Sequence, residues 1–227
     1  MNSIGGYFEI ELNKGTEYHK NLVGLNSGRN CLKYVLMANN FKKVYLPYYS
    51  CTALLEPIKK LGLEYRLYNI NEKFSPKISS NVKKDGAVLY INYYGILNKN
   101  INIIKKQYNN LIVDNAQAFF AKPLNSIDTF YSPRKFFGVP DGGYLQSTVL
   151  LNTAFNLDES YNRFDHLLKR GDVTPEFGYN EFKRNEMGFK NKPIKKCPVL
   201  QKNYCKQSTI NLLRKEGAQT FPTHIIN

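Results

Sequence analysis

Two polar residues near the middle of the chain have types and positions that suit covalent catalysis. The apolar run 111–113 ends at Asp114, and Lys135 follows a second β-like run, 126–131. Open α/β sheets place ligand-binding groups at the carboxyl ends of their strands, where Asp114 is expected to lie. A lysine amine forms a Schiff base with a carbonyl compound, so Lys135 is a candidate nucleophile. Taken singly, Asp114 is more simply a cap or turn residue and Lys135 a solvated surface charge.

The joint pattern resembles a motif of the DegT/StrS-type sugar aminotransferases, which are fold-type-I pyridoxal phosphate (PLP) enzymes. The segment Asp114-Asn115-Ala116-Gln117-Ala118 is similar to their Asp-x-Ala-Gln-Ala box. Lys135, followed by Asp141-Gly142-Gly143, is similar to their Schiff-base lysine and closing acidic-Gly-Gly. The resemblance implies that Asp114 pairs with the pyridine nitrogen, Gln117 lies at the ring hydroxyl and Lys135 carries the cofactor. A buried carboxylate suits this role because PLP is an electron sink only while its ring nitrogen is protonated.

A Ser-Gly turn before the amphipathic run 31–38 is a candidate phosphate cradle. The first turn of a helix presents free backbone N–H groups and the positive end of the helix dipole. The resemblance assigns this junction to the cofactor phosphate, and the implied phosphate ligands are Ser27, Gly28, Arg29 and Asn30. Ser132, in the serine-containing strand end before the lysine, is a further cofactor-binding candidate by resemblance. Without the resemblance, Asn30 is better interpreted as a helix N-cap.

The second strand-to-helix junction departs from the family pattern. Relatives place a residue there, usually an aromatic one, that packs against the pyridine ring. The matching position in this chain is Cys51, while Tyr48 and Tyr49 are nearby aromatics that could replace it.

The segment 177–186 resembles the part of the family that reaches across a dimer. Relatives place asparagine and arginine side chains from this segment near the partner's cofactor phosphate. Asn180 and Arg184 are the matching candidates, and the resemblance implies a homodimer.

Alternation of apolar runs and helical segments predicts an α/β fold with a mostly parallel sheet covered by helices. Strands are expected over 44–47, 63–70, 85–92, 111–114 and 126–131, with helices over 31–38, 50–62, 101–108 and 157–170. By resemblance, a strand at 144–146 returns antiparallel, residues 1–190 are the PLP-binding large domain and 191–227 an incomplete C-terminal extension. The chain is therefore expected to be truncated relative to the family.

The resemblance implies transfer of an amino group from glutamate to a nucleotide-linked keto-sugar, for cell-surface polysaccharide or lipopolysaccharide synthesis. The alternative is a truncated, non-catalytic PLP-binding remnant or partner protein. A deoxygenating dehydratase of the same fold is disfavoured, because histidine replaces the lysine in that branch and this chain has Lys135.

Composition limits the other function classes. The net charge of +14 admits a nucleic-acid partner, but no recognition motif accompanies it, so none is expected. Four scattered cysteines lack metal or redox spacing, which predicts no metal site and a reducing, cytoplasmic location. The sequence has no signal-peptide pattern, so secretion is not expected. It also lacks an apolar run of about 18 residues, so membrane insertion is not expected.

Overall fold

The computed structural model describes residues 6, 10–12, 15–78 and 81–206. Within them, eight strands form a sheet in the order β1-β8-β7-β6-β5-β2-β3-β4. The strands are β1 (Val23–Leu25), β2 (Lys43–Pro47), β3 (Glu64–Ile70), β4 (Pro76–Lys77), β5 (Gly86–Ile91), β6 (Leu111–Asp114), β7 (Asp128–Tyr131) and β8 (Gly143–Gln146). The helices are α1 (Gly28–Ala38), α2 (Leu55–Lys60), α3 (Asn98–Gln107), α4 (Asp165–Asp172) and α5 (Tyr179–Gly188), and residues 199–206 are also helical.

The prediction of a mostly parallel sheet is confirmed. Strands β7, β6, β5, β2 and β3 run parallel, and β8 pairs antiparallel with β7, as the resemblance implied. The sheet is covered on both faces, because all residues of strand β5 are buried. Leu89 packs with the α1 side of the core, whereas Val88 and Tyr90 pack with Ile101 and Ile104 of α3 on the opposite face.

The predicted helix over 157–170 is wrong in its first half. Helix α4 begins only at Asp165, after a short 3-10 turn over Tyr161–Arg163. The backbone of Lys196 explains the difference, because it donates to Asn156 O at 2.8 Å and accepts from Asp158 N at 3.1 Å. These long-range bonds hold the segment extended despite its helical pattern of apolar residues.

The predicted helix over 50–62 is shorter than expected. It consists of a 3-10 turn over Thr52–Leu54 followed by α2, which contains Pro57 in its first turn. Proline lacks a backbone N–H and is tolerated near a helix start, so the position of Pro57 is consistent with a helix beginning at Leu55.

Two findings concern other function classes. Among the described residues, no helix is long and apolar enough to cross a membrane. The same residues contain no cluster of three or more histidine, cysteine or acidic side chains suited to a metal ion.

Helix α1 begins at a well-formed cap. Ser27 is extended, and its hydroxyl accepts the N–H of Asn30 at 3.2 Å, as an N-cap serine does. Cys31, Leu32 and Val35 are buried against the sheet. The cap and the buried face together fix the direction of the N-terminal end of α1.

Gly143 permits this end of α1 to approach the sheet closely. A Cβ atom at this position would lie 2.6 Å from Cys31 Sγ and 2.8 Å from the carbonyl oxygen of Ser27. Gly143→Ala is therefore expected to lower the free energy of unfolding by about 1–3 kcal/mol, a typical cost of overpacking. Urea unfolding measures it, with Gly138→Ala as the control, since a Cβ there meets nothing within 4 Å. Equal stability of the two variants would contradict this packing argument.

Candidate functional site

The carboxyl ends of β2, β5 and β6 meet at a cavity of about 200 Å³. Its lining comes from the last residues of β5 and β6, from the segments that follow β2, β5 and β6, and from Lys135, which follows β7. The lining residues are Tyr49, Ser50, Cys51, Leu54, Ile91, Tyr93, Asp114, Gln117 and Lys135. This is the position at which open parallel sheets bind ligands.

Asp114, the last residue of β6, is 5% exposed. Its Oδ1 atom accepts the N–H of Ala116 at 2.7 Å. Burial raises the pKa of Asp114 to about 6, although the Ala116 N–H and the charge of Lys135 both lower it. Among the described residues, no cationic group lies within ion-pair distance of this carboxylate. The site therefore suits a ligand that brings its own positively charged N–H group.

Lys135 lies on a short 3-10 turn, Pro133–Lys135, that follows β7. Its side chain is exposed toward the cavity, whereas its neighbours are anchored. The Phe137 ring packs edge-to-face on Phe119 with centroids 4.9 Å apart. This aromatic contact anchors the backbone beside the turn, while the side chain of Lys135 lines the first cavity.

Tyrosines form the opposite wall. The hydroxyl of Tyr93 donates to Tyr49 O at 2.6 Å, and the two rings stack with centroids 5.5 Å apart. Gln117 Oε1 accepts the N–H of Tyr94, whose φ of 56° is unusual for a residue with a side chain. Cys51 is exposed and lines the cavity beside this wall.

A second cavity, of about 100 Å³, lies at the N-terminal end of α1. It shares Cys51, Leu54, Asp114 and Lys135 with the first cavity, and adds Ser27, Gly28, Arg29, Ser132 and Arg134. The Ser132 hydroxyl does not cap the turn that follows it. A helix start, two hydroxyls and two guanidinium groups favour an anion in this cavity, although the carboxyl groups of Asp114, Asp141 and Glu186 also line it.

Three of the predicted site residues lie outside both cavities. Asn30 is buried, and its Nδ2 atom donates to Asn26 Oδ1 at 2.7 Å and to Pro193 O at 2.9 Å. Asn180 and Arg184 lie exposed on α5, where Arg184 is 3.9 Å from Asp165. Asn30 thus supports the loop packing in this chain, and Asn180 and Arg184 lie on the exposed face of α5. The other eight predicted site residues line one or both cavities.

The Asp141-Gly142-Gly143 segment forms part of the second cavity, since Asp141 and Gly142 line it. Asp141 is fully buried, and Arg163 Nε donates to its Oδ2 at 2.5 Å. Burial raises the pKa of Asp141 to about 6, and the Arg163 charge opposes this. The N–H of Gly142 donates to Asn26 O at 3.1 Å, which ties the segment to the start of α1.

Sequence reasoning missed several lining residues. Arg134 is adjacent to the predicted lysine, so its position along the chain was a signal for it. Glu186 and Phe189 also line the second cavity, yet no spacing rule connects them with residues more than a hundred positions earlier. Tyr93 lines the first cavity, and the aromatic-Gly sequence Tyr93-Tyr94-Gly95 was its only signal along the chain.

No protein-family model matches this chain, and no curated protein sequence does. Solved structures do match. DesV of S. venezuelae, solved with a ketimine intermediate, shares 15% identity at a TM-score of 0.54, covering 86% of this chain and 53% of DesV. NtdA of Bacillus subtilis, with bound PMP, shares 18% identity at 0.53, covering 84% and 45%. Spr1654 of Streptococcus pneumoniae, in a PLP form, shares 17% identity at 0.52, covering 86% and 55%.

Of these three structures, Spr1654 is described as a putative sugar aminotransferase. At such identities the likeness shows the fold: the sheet and its covering helices are those of fold-type-I aminotransferases. The chain spans about half the length of the structures it matches.

Proposed function

We propose that this chain binds PLP and transfers an amino group to a keto-sugar. One observation carries the proposal: the buried carboxylate of Asp114 and the amine of Lys135 line one cavity, beside a second cavity suited to an anion. PLP has the matching groups, which are a protonated ring nitrogen, an aldehyde and a phosphate.

The residues present fit the cofactor at three points. The buried carboxylate of Asp114, which has no cationic group of the described residues within ion-pair distance, matches the ring nitrogen. Lys135 supplies the amine, while Ser27 and Ser132 supply hydroxyl donors for the phosphate. Cys51 departs from the aromatic usual in the family, and the ring of Tyr49, fixed by Tyr93, is the proposed replacement.

The chain's own residues then have defined tasks. PLP, when bound, supplies the electron sink for the carbanion formed at the substrate carbon. Asp114 holds the proton on the ring nitrogen. Lys135 Nζ attaches the cofactor and, once a substrate amine has displaced it, moves a proton as general base and general acid.

The finer proposals concern substrate and assembly. The proposed substrates are a nucleotide-linked keto-sugar and glutamate, in cell-surface polysaccharide or lipopolysaccharide synthesis, and the net charge of +14 favours an anionic nucleotide.

A homodimer is proposed, since Phe177, Tyr179 and Met187, in and just before α5, are more than half exposed. Residues 1–190 are the proposed PLP domain. The four cysteines are free, which supports the proposed cytoplasmic location.

Cofactor attachment is the first test. Protein mixed with PLP is expected to show a visible absorption band, and borohydride reduction is expected to leave a pyridoxyl group on Lys135, located by peptide mapping. Lys99, exposed on α3, serves as the internal control and is expected to stay unmodified. A pyridoxyl group found only on other lysines would refute the assignment.

Binding without turnover is the second candidate. It is favoured by the chain's span of 53% of DesV and 45% of NtdA. Adding glutamate to the PLP-loaded protein separates the two functions. Loss of the visible band supports amino transfer, whereas an unchanged band with Lys135 modified supports a PLP-binding protein without catalysis.

A further inference from the structure

An acidic side chain of this chain lies in the anion-suited cavity. Glu186, near the end of α5, lines the second cavity together with Phe189. Its Oε1 atom accepts a hydrogen bond from Arg134 Nη1, and its Oε2 atom lies 3.5 Å from Arg29 Nη2. The carboxylate therefore bridges two guanidinium groups that line the cavity.

Further contacts hold this segment over the cavity. The guanidinium carbons of Arg29 and Arg134 lie 5.8 and 5.2 Å from the centroid of the Phe189 ring. Asn191 N–H donates to Glu56 Oε1 at 2.8 Å, and Glu56 Oε2 lies 3.3 Å from Arg29 Nε. The segment from Glu186 to Asn191 is thus attached to the cavity by charge and by ring stacking.

The carboxylate of Glu186 is held ionised. Burial alone would raise its pKa, but the hydrogen bond from Arg134 and the charges of Arg134 and Arg29 outweigh this effect and lower it. A phosphate oxygen would accept hydrogen bonds from the same guanidinium N–H groups, because arginine pairs with carboxylate and phosphate in the same bidentate geometry. The two anions therefore compete for the same donors.

We propose that Glu186 is an internal stand-in for the anionic ligand. In the ligand-free chain it neutralises Arg29 and Arg134, and a phosphate-bearing ligand displaces it and releases the end of α5 from the cavity. The structure thereby assigns Arg134 as a second guanidinium for the phosphate. The inference rests on the proposed function for the identity of the ligand, while the exchange of anions can be tested without PLP.

Inorganic phosphate is the probe for the exchange. Glu186→Gln removes the competing charge and keeps the side-chain shape, so phosphate is expected to bind about tenfold more tightly, measured by calorimetry. Glu181→Gln is the matched control on the same helix, because Glu181 pairs with Lys169 at 2.6 Å and lines neither cavity. Phosphate affinity in Glu186→Gln at or below that of the unaltered chain overturns the inference.

A second measurement uses the unaltered chain. Phosphate is expected to accelerate tryptic cleavage after Lys183 and Arg184, since displacement of Glu186 releases the end of α5, to which both residues are close in sequence. Protection by phosphate, or no change at saturating phosphate, overturns the displacement. Arg134→Gln in the Glu186→Gln background is expected to reverse the gain in affinity.

The outcomes separate this inference from the proposed function. Tighter phosphate binding without pyridoxyl attachment to Lys135 leaves the anion exchange standing and removes the PLP proposal. If the pyridoxyl group is attached to Lys135 but phosphate affinity is unchanged in Glu186→Gln, the PLP proposal stands and the anion exchange is refuted.

Discussion

Replacing Lys135 with arginine is expected to reduce the half-reaction with glutamate by at least about a thousandfold, within the range that general acid–base groups contribute. Arginine keeps the charge but cannot attach the cofactor or accept a proton at neutral pH. The side chain is exposed and forms no side-chain hydrogen bond with the described residues. The free energy of unfolding should therefore change by no more than about 0.5 kcal/mol.

Stopped-flow spectroscopy of the PLP-loaded protein measures the rate, and urea unfolding measures stability. Lys99→Arg is the matched control, since Lys99 is exposed on α3 and is expected to leave both quantities unchanged. A Lys135→Arg variant with an unimpaired half-reaction would remove the lysine from the mechanism. A large loss of stability would show that the side chain supports the fold.

Much of the fold was predictable because its sheet is covered on both faces. Strands of this kind are near-continuous apolar runs, and β5 and β6 follow that pattern without interruption. The predicted ends of β6 and β7 also placed Asp114 and Lys135 at one edge of the sheet. Parallel strands share the direction of their carboxyl ends, so order along the chain was sufficient there.

The remaining site residues depend on contacts between distant segments. Glu186 meets Arg134 across 52 positions, and Asn30 donates to Pro193 O across 163. No local sequence pattern predicts either contact, because the partner of a polar side chain depends on which groups lie near it in the folded chain. The Lys196 backbone likewise determined the start of α4 from a distance.

Asp114→Asn is expected to stabilise the cofactor-free chain at pH 7 by up to about 3 kcal/mol. The pKa of Asp114 is raised from 3.8 to about 6, chiefly by burial, and each pKa unit corresponds to about 1.36 kcal/mol. A raised pKa means that the folded chain favours the protonated carboxyl group. The contribution of the Asp114 carboxyl group to the stability of the folded chain is therefore complete below pH 3.8 and is lost as the pH rises through about 6.

Asparagine avoids this loss because it does not ionise, and its oxygen still accepts the Ala116 N–H. The stability difference between the two chains should therefore shrink as the pH falls toward 4. The half-reaction should change in the opposite direction, by at least about a hundredfold, the size seen when one preorganised electrostatic group is removed. Gain of stability with loss of rate identifies a carboxylate kept for the ring nitrogen.

Urea unfolding at pH 7 and pH 4 without PLP, beside half-reaction rates with it, measures both effects. Asp128→Asn is the matched control, as Asp128 is also buried and lies on the adjacent strand β7, away from both cavities. Its oxygens accept from Thr148 N at 2.6 Å and from Asn39 Nδ2 at 3.2 Å, so this change should destabilise the fold. If Asp114→Asn destabilised the chain to the same degree, Asp114 would be a structural acceptor, and the ring-nitrogen role would lose its physical basis.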